Sequence, residues 1–196
     1  VYAVEYSPTG QTLLSTSFDK TCLLWSHGSA GASAGGDDSE YDPGETSSGN
    51  YENYNVLQGH KNAVLDCAWL DEDNVATASA DKTVQLWDVL TGTRLRKWQE
   101  HTGIVNAVST AATAENSNYS NMIFSVSDDG SCLHWDRRQK SSVGCLSTDY
   151  PILAVAAGHA GSNANHVYTA GIDHKITCWD VGMQRPVYSM KGHADT

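Results

Sequence analysis

Short apolar runs separated by polar turns recur along this chain, and the clearest set lies between residues 63 and 99. Val, Leu, Ala, Thr and Trp dominate the runs Ala63–Trp69, Asn74–Ser79, Thr83–Trp87 and Thr93–Gln99. Acidic residues, an Asp-Lys pair and a Thr-Gly pair separate them. Runs of this length that are bounded by turn residues are typical of β-strands. The pattern therefore predicts four strands joined by tight turns.

A fixed spacing of three residue types indicates that this four-strand unit is repeated. In each copy an Asp is followed six residues later by a Trp, and a Ser or Thr lies four residues before the Asp. The copies are Ser15, Asp19 and Trp25; Thr77, Asp81 and Trp87; Ser125, Asp129 and Trp135; and Thr169, Asp173 and Trp179. Four strands with a period of about forty residues match one blade of a β-propeller. A constellation present four times favours a structural role over catalysis.

Three longer segments carry a resemblance to a known family: GHKNAV…TASADKTVQLWD, EHTGIV…SVSDDGSCLHWD and AGIDHKITCWD. Together they resemble the WD-repeat family of all-β propellers, which implies four blades here as part of a ring of about seven. The blades would span 1–58, 59–100, 101–147 and 148–192, with the start of a next blade at 193–196. Because the chain begins inside one repeat and ends as another opens, we expect it to be part of a longer protein.

In the WD-repeat family a His, the Ser or Thr, the turn Asp and the Trp form a hydrogen-bonded tetrad inside each blade. The resemblance implies complete tetrads of His60, Thr77, Asp81 and Trp87 in blade two and of His101, Ser125, Asp129 and Trp135 in blade three. It implies tetrads without a His in the other two blades: Ser15, Asp19 and Trp25 in blade one, and Thr169, Asp173 and Trp179 in blade four. Thr148 stands where blade four should have its His. We expect a weaker tetrad there, since a buried carboxylate needs hydrogen-bonding partners.

Charge and cysteine content narrow the class of partner and the compartment. The formal net charge is −11, from 23 acidic and 12 basic residues, whereas direct binding to a phosphate backbone needs a basic surface. We therefore expect protein partners, no membrane, no small-molecule substrate and at most indirect contact with RNA.

The five cysteines form no C-x-x-C pair, and Cys22, Cys67, Cys132 and Cys178 fall in predicted strands. Buried free thiols in a reducing compartment are the expectation.

A Gly-, Ser- and Ala-rich insertion, residues 26–53, lengthens the first blade between its third and fourth strands. It holds six acidic residues and no Lys or Arg. Such a composition buries too little apolar surface to offset the entropy of ordering, so we expect it to be disordered. It is either a tolerated surface insertion or an acidic partner-binding loop that is open to phosphorylation.

Eight histidines raise the question of a metal site, and the Ser, His and Asp of the tetrads raise that of a hydrolase triad. No H-E-x-x-H motif and no paired Cys/His spacing appears in the sequence, as metal sites would need. A nucleophile needs an open cleft and an oxyanion hole, which buried and repeated tetrads do not offer. We expect no enzymatic activity, no metal and no cofactor.

The interpretation that remains is a docking surface held rigid by repeated blades. In this family the residue before the turn Asp often points from one face of the propeller, and here those residues are Phe18, Ala80, Asp128 and Ile172. An exposed Phe or Ile would suit a protein partner. The alternative is that these side chains pack against neighbouring loops.

The order of blade features resembles a subfamily of WD-repeat proteins of the U5 small nuclear ribonucleoprotein, part of the spliceosome. The first-blade segment VYAVEYSPTGQTLLSTSFDKTCLLW and the fourth-blade segments TDYPILAVA, AGIDHKITCWDV and VYSMKGHADT carry this resemblance. Ser26 departs from it, because an Asp or Asn is expected after Trp25. The resemblance implies a non-catalytic nuclear scaffold in pre-mRNA splicing, docked on the large central U5 protein and neighbouring splicing factors.

A second interpretation comes from a different functional class. The sequence Trp135–Arg138 reads WDRR, which resembles the WD-x-R pattern of substrate receptors of cullin-type ubiquitin ligases. In that case Arg138 would contact the ligase adaptor. A generic WD-repeat scaffold is the third interpretation.

Overall fold

The computed structural model describes residues 1–27, 51–111, 121–158 and 165–194, and these residues form sixteen β-strands in four antiparallel sheets. The predicted all-β architecture is confirmed. Each sheet is one blade, and its four strands neighbour one another in chain order. Local hairpin pairing of this kind follows from the short turns between runs. Closure into a ring of about seven blades stays a prediction.

The strand bounds lie close to those that the apolar runs predict. Blades one and two contain β1 (Val4–Tyr6), β2 (Thr12–Thr16), β3 (Thr21–His27), β4 (Tyr51–Gln58), β5 (Val64–Trp69), β6 (Asn74–Ser79), β7 (Val84–Asp88) and β8 (Arg94–Trp98). Blades three and four contain β9 (Val105–Thr110), β10 (Met122–Ser127), β11 (Ser131–Asp136), β12 (Ser142–Ser147), β13 (Ile152–Ala157), β14 (His166–Gly171), β15 (Lys175–Asp180) and β16 (Arg185–Lys191).

The first-blade insertion is shorter than the sequence suggests. Residues 26 and 27 continue β3 and residues 51–53 begin β4, where Ser26 pairs with Glu52 and Trp25 with Asn53. The prediction of disorder was therefore wrong for these five residues, because ladder hydrogen bonds to a neighbouring strand hold even a polar sequence in place. The predicted disorder of 28–50 falls outside the described residues.

The turn that follows the repeated Asp has the same unusual backbone in every blade. The residue after the Asp lies in the left-handed region, with φ of 75° at Lys20, 68° at Lys82, 78° at Gly130 and 59° at His174. This region is unfavourable for residues other than Gly. In blade two the Asp81 carboxylate compensates by accepting a hydrogen bond from the backbone N–H two residues on. The turn and the buried carboxylate therefore stabilise each other.

A β-bulge lies opposite the repeated Trp in every blade. The register shifts between Leu24 and Trp25, Leu86 and Trp87, His134 and Trp135, and Cys178 and Trp179. In blade two, Leu86 pairs with Arg96 and Trp87 with Arg94, so Leu95 is the extra residue. Since a bulge breaks the alternation of side chains, Arg94 and Arg96 leave the sheet on opposite sides.

Apolar cores join each blade to the next. Trp87 of blade two packs with Leu14, Leu24 and Leu57 of blade one, and a second cluster places Trp135 of blade three against Trp98 of blade two. The two indoles stack with ring centroids 5.4 Å apart. A third cluster joins blades three and four around Trp179. Face-to-face burial of this kind is what holds propeller blades in a radial stack.

Polar bridges between the first strands of neighbouring blades reinforce these cores. The Thr110 hydroxyl donates to the Trp69 carbonyl at 2.6 Å, and the Val108 N–H donates to the Asp66 carboxylate at 2.9 Å. Burial raises the pKa of Asp66. The blades are therefore tied by directional contacts as well as by apolar area.

Two faces of the blade stack follow from the antiparallel topology. The upper face carries the turns between second and third strands and the links from one blade to the next. The lower face carries the turns between first and second strands and between third and fourth strands. The predicted docking residues before the turn Asp lie on the upper face, and the WDRR segment lies on the lower face.

The cysteines are free thiols, and Cys22, Cys67, Cys132 and Cys178 are buried while Cys145 is exposed. The predicted buried free thiols are confirmed for those four strand positions. Burial raises the pKa of Cys22 to about 12, so this thiol stays protonated at neutral pH. Across the described part of the chain, no helix is long and apolar enough to cross a membrane.

Candidate functional site

The tetrad of blade two forms a continuous hydrogen-bonded chain from the indole to the turn carboxylate. The Trp87 Nε1–H donates to Thr77 Oγ1 at 2.9 Å, and that oxygen lies 2.8 Å from His60 Nε2. On the other side of the ring, His60 Nδ1 lies 3.0 Å from Asp81 Oδ2. With the imidazole proton on Nδ1, every group in the chain has the donor or acceptor that it needs.

Asp81 accepts more hydrogen bonds than the tetrad alone provides. The backbone N–H of Lys61 donates to Oδ2 at 2.8 Å, and the hydroxyl of Thr83 donates to Oδ1 at 2.6 Å. The side-chain amide of Gln85, on β7, donates to the Thr83 hydroxyl oxygen at 3.3 Å and so supports this second donor. The carboxylate is therefore surrounded by donors, as a buried charge requires.

Blade three repeats this geometry with Ser in place of Thr. The Trp135 Nε1–H donates to Ser125 Oγ at 2.8 Å, and that oxygen lies 2.8 Å from His101 Nε2. His101 Nδ1 lies 3.1 Å from Asp129 Oδ2, and the Ser131 hydroxyl donates to Oδ1 of the same carboxylate. The two complete tetrads that the sequence predicts are thus brought together in the folded chain.

Burial and hydrogen bonding set the ionisation of these groups. Hydrogen bonds from His60, Thr83 and the Lys61 backbone outweigh burial and hold the pKa of Asp81 well below its usual range. The pKa of Asp129 is lowered in the same way. Burial lowers the pKa of His101. Both aspartates are therefore anionic at neutral pH, and the His101 ring next to Asp129 is neutral.

Blade one has the Trp and Ser contact but an exposed Asp. The Trp25 Nε1–H donates to Ser15 Oγ at 2.9 Å. The carboxylate of Asp19 accepts hydrogen bonds from the Thr21 backbone N–H at 3.0 Å and from the Thr21 hydroxyl at 2.6 Å. These bonds lower the pKa of Asp19. Asp19 thus holds its own turn, and the His position of blade one lies before Val1.

Blade four has no His at the tetrad position, and residues outside the repeated spacing contact its turn aspartate. The Thr148 hydroxyl donates to backbone carbonyls, those of Gly130 at 3.0 Å and Tyr150 at 2.7 Å, and so takes no part in a tetrad. Asp173 is instead contacted by Lys175, whose Nζ lies 3.6 Å from Oδ2. Burial and a hydrogen bond with Asp173 raise the pKa of Tyr150. The Trp179 Nε1–H still donates to Thr169 Oγ1 at 2.8 Å.

Residues that sequence reasoning missed fall into two groups. The residue two after the turn Asp is Thr21, Thr83, Ser131 or Lys175, and this regular position was visible in the repeat. Tyr150 lies two residues away from the His position, so no frame of equivalent positions could have identified it. Its contact with Asp173 depends on the path of the link into blade four.

Comparison with known proteins decides the family. The family model described as WD domain, G-beta repeat matches residues 1–26, 51–88 and 92–136, more than half of the chain. The chain belongs to the WD-repeat family. The matched residues lie in blades one to three of this WD-repeat protein.

Several curated WD-repeat relatives match over nearly the whole chain. The pre-mRNA-splicing factor cwf17 of Schizosaccharomyces pombe is 30% identical over 100% of this chain and 49% of its own length. The U5 small nuclear ribonucleoprotein 40 kDa protein of Dictyostelium discoideum is 34% identical over 98% of this chain and 47% of its own length. The ribosome biogenesis protein WDR12 homolog of Ixodes scapularis is 29% identical over 100% and 47%. The chain spans about half the length of the curated relatives it matches.

The predicted upper-face residues differ in exposure. The side chains of Phe18 and Ile172 are 70% and 47% exposed, whereas Ala80 is half-buried. Asp128 is exposed and accepts a hydrogen bond from the Asn106 amide at 2.7 Å. Phe18 is therefore not packed under a neighbouring described loop, and a large apolar side chain in this position is the kind of residue that anchors protein partners.

Arg138 of the WDRR segment folds back onto its own blade. Its guanidinium makes a two-pronged contact with Asp136, with Nε 2.9 Å from Oδ1 and Nη2 2.5 Å from Oδ2. The Arg138 side chain is 70% exposed while that of Asp136 is 7% exposed. The outer edge of the guanidinium thus faces solvent on the lower face.

The described residues offer little that could perform chemistry. Among them, no group of three or more His, Cys, Asp or Glu side chains is placed to hold a metal ion. The Thr77 and Ser125 hydroxyls of the complete tetrads are fully buried and already shared between an indole and an imidazole. A substrate would have to displace the core to reach them.

Proposed function

We propose that this chain is part of a non-catalytic scaffold that docks splicing proteins during pre-mRNA splicing in the nucleus. The observation that carries the proposal is the likeness to cwf17 and to the U5 40 kDa protein over essentially the whole chain. That likeness includes blade four, where the sequence departs most from the WD-repeat pattern.

The geometry supports a docking role in two ways. Complete tetrads in blades two and three and apolar cores shared between all neighbouring blades make the stack a rigid support, and rigid supports lower the entropy lost when a partner binds. Phe18 and Ile172 project from the upper face of this support. The net charge of −11 disfavours direct binding to an RNA backbone and favours proteins as partners.

The test is affinity purification of the tagged protein from nuclear extract, with U5 RNA and splicing proteins measured in the eluate. We expect U5 components to be recovered with the wild type. Phe18→Glu should reduce their recovery roughly tenfold, since a buried charge replaces an apolar anchor. Leu90→Glu is the matched control, because Leu90 is 81% exposed on the lower face.

Two results would count against the proposal. The first is recovery of no U5 component under conditions that preserve the particle. The second is recovery of a cullin-ligase adaptor that disappears in Arg138→Ala, which would favour the ligase interpretation of the WDRR segment.

A further inference from the structure

The arginines are segregated on one side of this acidic protein. All five lie in lower-face turns or in the strands that leave them: Arg94, Arg96, Arg137, Arg138 and Arg185. The turns and links of the upper face contain no arginine but carry lysines such as Lys20 and Lys82, while Lys140 lies in a lower-face turn. Arginine presents a planar fork of donors that matches a carboxylate, whereas lysine is a flexible point charge. The lower face is therefore better suited than the upper face to bind a carboxylate through two parallel hydrogen bonds.

Three of the arginines line one depression between blades two and three. This arginine groove has a volume of about 550 Å³ and is lined by Asn74, Leu86, Leu95, Arg96, Arg137 and Arg138. The bulge at Leu95 turns Arg96 toward blade three, and the WDRR segment supplies the other two arginines from the β11–β12 turn. Leu95 is 43% exposed and adds apolar surface to the rim.

Two of these arginines are already paired within the chain. Arg137 Nη1 lies 2.7 Å from Asp71 Oδ2, and Arg138 is held by Asp136. These pairs fix the walls of the arginine groove and leave little net charge on them. They are the positioning part of the surface and not the part that a ligand would meet first.

Arg96 is held in place but is not neutralised. Its Nε donates to the Arg137 carbonyl at 3.3 Å, and Nη1 lies 3.5 Å from the Leu95 carbonyl. Within the described residues it has no carboxylate partner, and its side chain is half-buried. A half-buried guanidinium whose contacts are backbone carbonyls retains donors for an incoming acceptor.

Two other depressions on the lower face lack this character. The one on blade four is lined by His166, Asp180, Met183, Arg185, Pro186 and Val187, so its single arginine lies beside an acid. The one on blade one is lined by Gly10, Gln11, Thr12, Ser26, His27 and Tyr51 and contains no arginine. Among these three depressions of the described residues, the arginine groove alone gathers three guanidiniums.

We propose that the arginine groove docks a short segment of a protein partner that presents a carboxylate to Arg96 and an apolar side chain to Leu95. Charge complementarity identifies the acidic residue, and the exposed leucine identifies its apolar neighbour. RNA is the disfavoured occupant, because only one of the three guanidiniums is free of a carboxylate and the chain as a whole is strongly acidic. The proposal requires a protein partner but not a spliceosomal one, so its failure would leave the splicing role standing.

The experiment is selection of short random peptides displayed on phage against the purified protein, followed by fluorescence anisotropy with the selected peptides. We expect selected sequences to be enriched in Asp or Glu next to an apolar residue. Arg96→Gln should weaken their binding about tenfold or more, the loss of one charge-assisted contact. Arg96→Lys should weaken it less, since it keeps the charge but loses the fork.

Controls separate the arginine groove from the rest of the surface. Arg185→Gln removes an arginine of the same face in another blade and should leave binding unchanged. Thermal unfolding checks that each variant is folded, and replacing the acidic residue of a selected peptide by its amide should reduce binding as much as Arg96→Gln does.

Four outcomes would overturn the proposal. The first is a set of selected peptides with no acidic enrichment, and the second is an equal affinity of these peptides for Arg96→Gln and wild type. A single-stranded RNA oligonucleotide that binds more tightly than the peptides through Arg96 would assign the surface to nucleic acid. Tighter peptide binding after deletion of residues 30–48 would assign it to the acidic segment of this chain.

Discussion

Blades two and four reach the same four-stranded fold with different partners for the turn aspartate. In blade two the carboxylate of Asp81 faces a buried imidazole and three further donors, the backbone N–H groups of Lys61 and Thr83 and the Thr83 hydroxyl, and its side chain is 6% exposed. In blade four Asp173 faces a lysine and a tyrosine near the surface, and its side chain is 15% exposed. Both blades keep the indole-to-hydroxyl bond. The indole therefore defines the fold of a blade, while the histidine determines how firmly its turn is held.

The largest effect should come from removing a fully buried indole. Trp87→Ala should lower the free energy of unfolding by about 3–5 kcal/mol, since it leaves a cavity among the side chains of two blades and removes one hydrogen bond of the Thr77 hydroxyl. Trp179→Ala should cost less, because Trp179 is 7% exposed against 1% for Trp87. Urea denaturation followed by circular dichroism measures both. Equal losses would show that the blades do not differ.

The next effect concerns the carboxylates themselves. Asp81→Asn should destabilise the protein by about 2–3 kcal/mol, because an amide cannot accept from all the donors that face this charge. Asp173→Asn should cost about 1 kcal/mol, since its partner Lys175 reaches solvent. The same denaturation series compares them. A larger loss at Asp173 would contradict the distinction between the two tetrads.

A histidine placed in the sequence frame of blade four should not create a tetrad. Thr148→His should destabilise by about 1–2 kcal/mol, because it breaks the hydroxyl bonds to the Gly130 and Tyr150 carbonyls without reaching Asp173. Thr148→Ser, which keeps the hydroxyl, is the matched control. A stabilised Thr148→His variant would show that the path of the chain does allow the family arrangement.

Tyr150→Phe tests the substitute partner with a smaller change. Loss of its hydroxyl beside Asp173 should cost at most about 1 kcal/mol, because solvent screens this contact. Tyr54→Phe, at an exposed tyrosine of β4, should be neutral. If Tyr150→Phe were also neutral, Lys175 alone would satisfy Asp173.

The smallest effect is the pH dependence of the histidine-containing blades. The pKa of His101 is lowered in the folded protein, so its neutral form stabilises the fold above about pH 6.5 and this contribution is lost as the pH falls below that value. His101→Gln should have a shallower decline over this range. The lowered pKa values of Asp81 and Asp129 add a second loss that begins below about pH 4. A steeper decline in His101→Gln would contradict this assignment.

The repeated spacing was sufficient to predict the strands, the blades and the two complete tetrads, because each depends on residues at fixed offsets in a regular meander. The run Asn74–Ser79 between two turns has the observed bounds of β6, and the Asp-to-Trp frame places Asp81 and Trp87 in one cluster. Reasoning from local composition gave the wrong prediction, disorder, for residues 26–27 and 51–53. Their polar composition resembles a loop, and only pairing between the two strands makes them a ladder.

The sequence by itself determined that this protein is a WD-repeat stack with buried indoles, since that pattern repeats within the reach of single hairpins. Tertiary structure decided what happens between blades and at breaks in the repeat. Tyr150 meets Asp173 only because of the link into blade four, and Arg96 meets the WDRR segment only because a bulge turns it toward the next blade. Such contacts join residues that are distant in sequence and outside any common frame, so their geometry is fixed by packing and not by periodicity.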